Sequence, residues 1–277
     1  MSKNSRPRLR PDFGSFAGLL VAMAGILGGL VLEGGSIGDV TQATGAIIVL
    51  GGTLGAVMIT SPTSALVGAL KSLRLVFFQP DYQPRQIAET VLSFAARARR
   101  NGIVSLEADV ERIEDPFLKK ALALGVDGTD VQDLQHMMYL GIEADERRGK
   151  AEAKVYEAAG GYAPTVGIIG AVLGLIQVMK HLDQIEMVGH GIAVAFVATI
   201  YGVASANVLF LPAAAKLRAR TEEASRMKEL MLDGVTSIVQ GLHPKLIEQR
   251  LEPYLSETVS AKAREHPRAP HVGEEVA

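Results

Sequence analysis

The sequence predicts an all-α polytopic membrane protein, with four transmembrane helices and a helical cytoplasmic insertion. Three observations carry that prediction. The chain has 277 residues, of which 48% are hydrophobic and only 21% charged, and its mean hydropathy is +0.22, too apolar for an ordinary soluble domain. Four runs contain no Asp, Glu, Lys or Arg: 13–32, 40–70, 158–179 and 191–215. Each is long enough to cross about 30 Å of hydrocarbon as a helix. Lysine and arginine gather at one set of span ends, which fixes the orientation.

Residues 1–12 form a basic cytoplasmic N-terminus, with Lys3, Arg6, Arg8 and Arg10 before the first span. The apolar run that follows is long for a signal peptide, so a retained first helix is expected. Helices 1 and 2 occupy 13–60; Pro62 and the Ser/Thr residues around it end the second span near Thr60. Lys71 and Arg74 follow span 2, and Lys216, Arg218 and Arg220 follow span 4. The linkers on the opposite face are short, acidic at 33–39 and mixed at 180–190. Both termini are therefore expected in the cytoplasm.

Residues 61–157 form the cytoplasmic helical domain. Ile87, Val91, Phe94 and Ala98 share one face of a helix over 86–100, which Asn101-Gly102 stops. Asp115-Pro116 starts a short helix. Thr129 and Gln132 have capping-box spacing. From Leu134 the helical pattern runs without proline towards Ala158, so one helix is expected to continue from the insertion into span 3. Spans 3 and 4 fill 158–215. Residues 216–277 comprise a C-terminal helix, over 221–240, and a tail from about Ala261 whose composition reads as disordered.

The composition also excludes function classes. The net charge of -2 offers no basic field for nucleic acid, and the absence of cysteine removes disulfides and thiolate chemistry. His136, His181, His190 and His243 are too scattered to form a metal site, and no glycine-rich stretch carries a P-loop lysine. No hydrolase or transferase constellation is visible, so neither an enzyme nor a cofactor is expected.

The stretch GGYAPTVGIIGAVLGLIQVM, 160–179, poses the main question, because Gly167, Gly170 and Gly174 repeat along one helix face. In lipid, small residues at that spacing let backbones approach closely. The same spans lack any Asp, Glu, Lys or Arg, whereas an ion path usually carries such a group at depth. They offer only hydroxyls and amides: Thr53, Thr165, Gln177, Thr199, Tyr201, Ser205 and Asn207. Either the chain transports nothing, or another subunit supplies the carboxylate. The polar dots from Thr199 to Asn207 either bond back to their own helix or form one wall of a shared pathway.

The phrases IIVLGGTLGA (47–56), APTVGIIGAVLGL (163–175) and GIAVAFVATIYGVASANVLFLPAAAKL (191–217) resemble the flagellar motor stator A-subunit family, MotA/PomA, within the wider MotA/TolQ/ExbB proton channel group. The resemblance runs in order to about residue 245. It implies an ion-conducting subunit of the inner membrane whose partner, a B-subunit of the MotB/PomB type, supplies a transmembrane aspartate. It further implies a ring, pentameric in the family, that works against a rotor switch protein. Pro164 matches the proline opening span 3 in that family and Pro212 the one near the cytoplasmic end of span 4; both are linked there to coupling ion flow with motion. Arg99 matches the basic residue three positions before Gly102, and Glu107 the acidic residue of the SLE motif; these are the family's rotor-facing charges. Arg97, Arg100 and Arg112 are close enough in sequence to share that contact. Sodium-driven members carry threonine seven positions after the opening proline, where this chain has Ala171, whereas Thr199 matches a second threonine associated with sodium. Hard cations need several oxygen ligands, so protons are the expected ion. The alternatives are an energiser subunit of a TonB- or Tol-type complex, which typically has three spans, and a non-conducting membrane scaffold.

Overall fold

The structure, a computed structural model, describes residues 9–265. It is helical almost throughout, and four of its helices are long and apolar enough to cross a membrane: Phe13–Leu32, Ile37–Thr60, Val131–Lys180 and Ile185–Val239. The first span has the bounds that the charge-free run dictates, and Asp12 caps it by accepting the Ser15 amide at 3.2 Å. The second starts earlier than expected, with a short turn over Ile37–Val40 in which Ser36 and Asp39 cap each other reciprocally. Thr41 and Gln42 are extended and interrupt it. The expected unbroken helix into span 3 is present as Val131–Lys180, although its cap is Asp130, which accepts the Gln132 amide at 2.9 Å, and not Thr129.

Two stretches widen to π-helical turns, Ile47–Gly51 in span 2 and Ser205–Phe210 in span 4. The second directly precedes Leu211-Pro212. Proline has no N–H to give to the fourth carbonyl before it, and a one-residue widening re-registers the ladder.

The chain divides into two compact units. One comprises Leu9–Pro80 with Glu146–Glu222 and holds the apolar spans. Its core is made mostly of alanine and valine: Val57, Ala65, Ala69, Val155 and Ala159 in one cluster, Val76, Ala153 and Ala213 with Leu217 in another. Thr63–Ser72 and residues 146–157, which the sequence suggested as parts of the insertion, therefore pack in this unit. A two-stranded antiparallel ladder, Leu9–Pro11 with Phe78–Pro80, is a β element that the helical pattern does not foretell.

The other unit comprises Asp81–Asp145 and the described residues from Glu223 onward. Its core uses large side chains, among them Leu106, Leu122, Leu134, Met138, Ile142 and Leu230. Helix Pro84–Asn101 begins on proline and ends where Gly102 takes φ +82°, a left-handed conformation that side chains disfavour. Asp115 caps helix Pro116–Val126 by accepting the Phe117 and Leu118 amides, both at 2.9 Å. The tail expectation needs correction. Helix Pro244–Glu265 extends past Ala261, and it buries Ile247 and Leu251, one turn apart, in the core. The rest of the tail, 266–277, lies outside the described residues, as do residues 1–8 of the basic N-terminus.

Candidate functional site

Gly167, Gly170 and Gly174 are buried, and the helix face they share packs against span 4. A Cβ on Gly167 would stand 2.9 Å from the Ala198 carbonyl oxygen; one on Gly170 would stand 2.7 Å from the Ala198 methyl and 3.3 Å from Ile48; one on Gly174 would stand 2.7 Å from the Gly191 carbonyl oxygen. Span 4 reciprocates. A Cβ on Gly202 would lie 2.5 Å from the Ala163 carbonyl oxygen and 3.2 Å from the Pro164 Cα. The seam is thus backbone against backbone, closed by Gly191, Ala195, Ala198 and Gly202 on the second helix. Sequence reasoning finds one side of it. The other side is visible as small residues at 191, 195, 198 and 202, a spacing of four, three and four.

Pro164 is half-buried at this seam, within an unbroken helix. It deprives the Gly160 carbonyl of its usual donor. Ala171 and Thr199 are half-buried and Pro212 is exposed. The polar residues of span 4 bond mainly to their own helix: Thr199 Oγ1 donates to Ala195 O at 3.1 Å, Ser205 Oγ to Gly202 O at 3.2 Å and Asn207 Nδ2 to Val203 O at 2.9 Å. Tyr201 differs. Its hydroxyl donates to Val40 O at 2.6 Å and accepts from the Gln42 amide at 3.1 Å, so it ties span 4 to the break in span 2. Thr53 is 2% exposed on the Gly45, Val49, Val57 stripe of span 2.

A second constellation escapes the sequence pattern. The Asp12 carboxylate, 9% exposed, meets Lys216 Nζ at 2.6 Å and Arg220 Nη2 at 2.5 Å, and Arg220 also donates to Gln79 Oε1 at 2.9 Å. Burial alone would raise the Asp12 pKa, but the Lys216 ammonium, the Ser15 amide and the Arg220 charge outweigh it and hold the carboxyl below its usual range. In the sequence these cations serve only as topology markers; the folded chain shows their shared partner.

In the other unit, Arg99 and Glu107 are both exposed, on either side of the Gly102 turn. Arg99 Nη1 reaches Gly241 O at 3.5 Å. Arg97 is not a free neighbour of this surface. It pairs with Asp109 at 2.6 Å, and its guanidinium lies 5.3 Å from the Phe94 ring centroid. Arg100 Nε donates to Ala96 O at 3.2 Å.

Four apolar spans, a glycine seam and a charged helical unit narrow the field of relatives, and comparison with known proteins completes the identification. Residues 109–230 match the model of the MotA/TolQ/ExbB proton channel family, and residues 16–102 match that of the motility protein A N-terminal region. The chain is 36% identical over 247 residues to motility protein A of Bacillus subtilis (strain 168), covering 88% of this chain and 91% of that protein. The chain belongs to the MotA/TolQ/ExbB proton channel family. Among solved structures, the flagellar MotAB stator complex from Bacillus subtilis is similar at 35% identity, with a TM-score of 0.82 and coverage of 90% of this chain and 98% of that one. The structure of C. jejuni MotAB is similar at 28% identity, with a TM-score of 0.84, covering 95% and 100%. Within the MotA/TolQ/ExbB match lie Pro164, Gly167, Gly170, Ala171, Gly174, Thr199, Tyr201 and Pro212. Arg99 lies in the N-terminal match, and Glu107 falls between the two.

Proposed function

We propose that this chain is the A-type stator subunit of a bacterial flagellar motor, and that it couples proton flow to torque on a rotor switch protein. The observation that carries this is chemical. The apolar runs 13–32, 40–70, 158–179 and 191–215 contain no Asp, Glu, Lys or Arg, yet the chain belongs to a proton channel family. The titrating carboxylate then belongs to a B-subunit of the MotB/PomB type, whose transmembrane aspartate would meet the wall formed by spans 3 and 4. Solved relatives described as MotAB complexes support that partnership. The chain would lie in the inner membrane with both termini in the cytoplasm and assemble as a ring, pentameric as in the family.

Protons suit the wall better than sodium. Ala171 presents no side-chain oxygen, which leaves Thr199 as a single hydroxyl ligand on each subunit. A dehydrated sodium ion requires several oxygen ligands together, whereas protonating a carboxylate requires only water or a neighbouring acid. Pro164 and Pro212 supply the weak points in spans 3 and 4 at which ion binding would move the helices. Arg99 and Glu107 would face opposite charges on the rotor.

Proton flux into proteoliposomes tests the division of labour. The chain with its B-subunit should conduct, the chain alone should not, and equal flux without the partner would place the relay in this chain. Swimming driven by this stator should survive replacement of sodium by potassium and stop with a protonophore at high pH. The opposite pattern would reassign the ion and direct attention to Thr199.

A further inference from the structure

We infer that the Arg97–Asp109 pair sets the geometry of the charged surface that carries Arg99 and Glu107, so that Arg97 and Asp109 are positioning residues and not rotor contacts. This rests on the rotor reading of Arg99 and Glu107 and deepens it. The two charges sit on different segments, one at the end of helix Pro84–Asn101 and the other past the turn at Gly102. That turn is closed by Ser105, whose amide and hydroxyl both reach Gly102 O, at 3.2 and 2.6 Å. Beyond it the chain is pegged to the core at Leu106, 0% exposed, and at Val110, 7% exposed. Glu107 and Asp109 lie between those pegs.

The pair bridges these segments directly. Arg97 and Arg99 are two residues apart, as are Glu107 and Asp109. The 2.6 Å contact between Arg97 and Asp109 therefore ties the segment that bears one proposed rotor charge to the segment that bears the other. Each partner is held independently. Asp109 is 17% exposed, and Arg97 lies against Phe94, itself 6% exposed. Beyond the segment, Glu111 meets Lys119 Nζ at 3.2 Å in an exposed contact that adds little. A side chain committed to an intrachain carboxylate and an aromatic face has little left to offer a moving partner. It does fix orientation, and complementary charges across an interface act chiefly through orientation and register. Because Arg97 is 41% exposed, the pair adds little to global stability, and its removal tests position, not folding.

The experiment uses the complete stator in cells dependent on it. The variants are Asp109→Asn, the exchange Arg97→Asp with Asp109→Arg, and the single reversals Arg99→Glu and Glu107→Lys. Torque per stator unit is read from the step height of a tethered bead, membrane levels by immunoblot, and amide hydrogen exchange over 103–110 on the purified complex. Asp109→Asn should leave membrane levels unchanged, speed exchange over 103–110 and lower torque per unit by about two- to fivefold, the population shift a half-exposed pair commands. The exchanged pair should recover most of that torque. Lowered torque with unchanged exchange and no recovery in the exchanged pair would make Asp109 a rotor contact and overturn the positioning role. Silence of Asp109→Asn beside impaired reversals at Arg99 and Glu107 would overturn it as well. Silence of both reversals would instead bring down the rotor reading, and the positioning role with it.

Discussion

The first span and the pair formed by spans 3 and 4 solve the same problem in different ways. Phe13–Leu32 has the highest mean hydropathy of the four, 2.2, and buries none of its residues within this chain. Ile185–Ala204 is less apolar and buries Gly191, Val194, Ala195, Val197, Ala198 and Gly202. In lipid, hydrophobicity does not draw helices together, since the acyl chains are as apolar as leucine. Close backbone approach does, and it requires small side chains. High hydropathy therefore marks the helix that faces outward from its own chain, and glycine at the spacing of a helix face marks the seam. Glycine alone is insufficient. At Gly18, Gly25, Gly28 and Gly29 of the first span, an added methyl group would have nothing of this chain within 4 Å, whereas Gly174 and Gly202 would each drive a Cβ into a backbone oxygen.

The sharpest way to break this contrast is Gly202→Leu. Overpacking costs about 1–3 kcal/mol where neighbours can yield, but here the nearest atom is the Ala163 carbonyl oxygen at 2.5 Å, with Gly167 Cα at 3.1 Å behind it. The expected outcome is loss of folded protein from the membrane, read by immunoblot and by size-exclusion profile in detergent. Normal levels with a normal profile would show that spans 3 and 4 separate without penalty.

Next in size is Asp12→Asn, which concerns how the first span is held. Its N-terminal end is fastened by the ladder Leu9–Pro11, by Phe16 against Phe77 at 5.3 Å, and by Asp12 between Lys216 and Arg220. Removing the carboxylate leaves two cations facing each other, at a cost of about 2–3 kcal/mol once the partial exposure of Lys216 is allowed for. A lowered carboxyl pKa stabilises the fold above the ordinary carboxylate value, near about pH 4, and that contribution is lost as pH falls through the lowered value. The melting temperature of the wild-type protein should therefore fall in acid more steeply than that of Asp12→Asn. Parallel curves would remove Asp12 from the account.

These two sites also show what a sequence makes legible. The first span can be bounded to the residue, because Asp12 and Glu33 limit a charge-free run. The stop at Gly102 and the cap at Asp115 are equally clear, since each depends on local chemistry. The partners are not: Gly202 opposite Ala163 and Asp12 opposite Lys216 are separated by 39 and 204 positions, counting from the residue numbers, and no local pattern encodes such a register. Helix Pro244–Glu265 escapes detection for a different reason. Its charged composition and Pro253 obscure the helical pattern, and among the side chains described its buried residues are Ile247 and Leu251.

Tyr201→Phe has a smaller expected effect and separates two roles. The polar stripe of span 4 offers Tyr201 to an ion pathway, whereas its hydroxyl spends both a donor and an acceptor position on Val40 and Gln42. If fastening span 2 is its task, the phenylalanine variant should lose about 1 kcal/mol of stability and retain proton flux in the assembled complex. Flux abolished at unchanged stability would return Tyr201 to the pathway.

The smallest expected effect is Gly25→Ala, and it bears on the first span itself. No atom of this chain lies within 4 Å of the added methyl group, so the substitution meets no steric cost within the fold. Alanine is also the better helix former. The melting temperature of the detergent-solubilised chain should therefore hold or rise slightly, a change within about 0.5 kcal/mol. The informative measurement is made on the assembled stator. A methyl group is harmless against lipid but intrusive against a neighbouring backbone, since helix seams in membranes depend on small residues. Gly25→Ala with unchanged assembly would mean that the outward face of the first span meets lipid or loosely packed side chains. Unchanged chain stability with failed assembly would mean that this face is a second seam of the kind Gly167 and Gly202 build within one chain, completed by another subunit. The same glycine spacing would then serve two interfaces, and burial within a single chain would distinguish them.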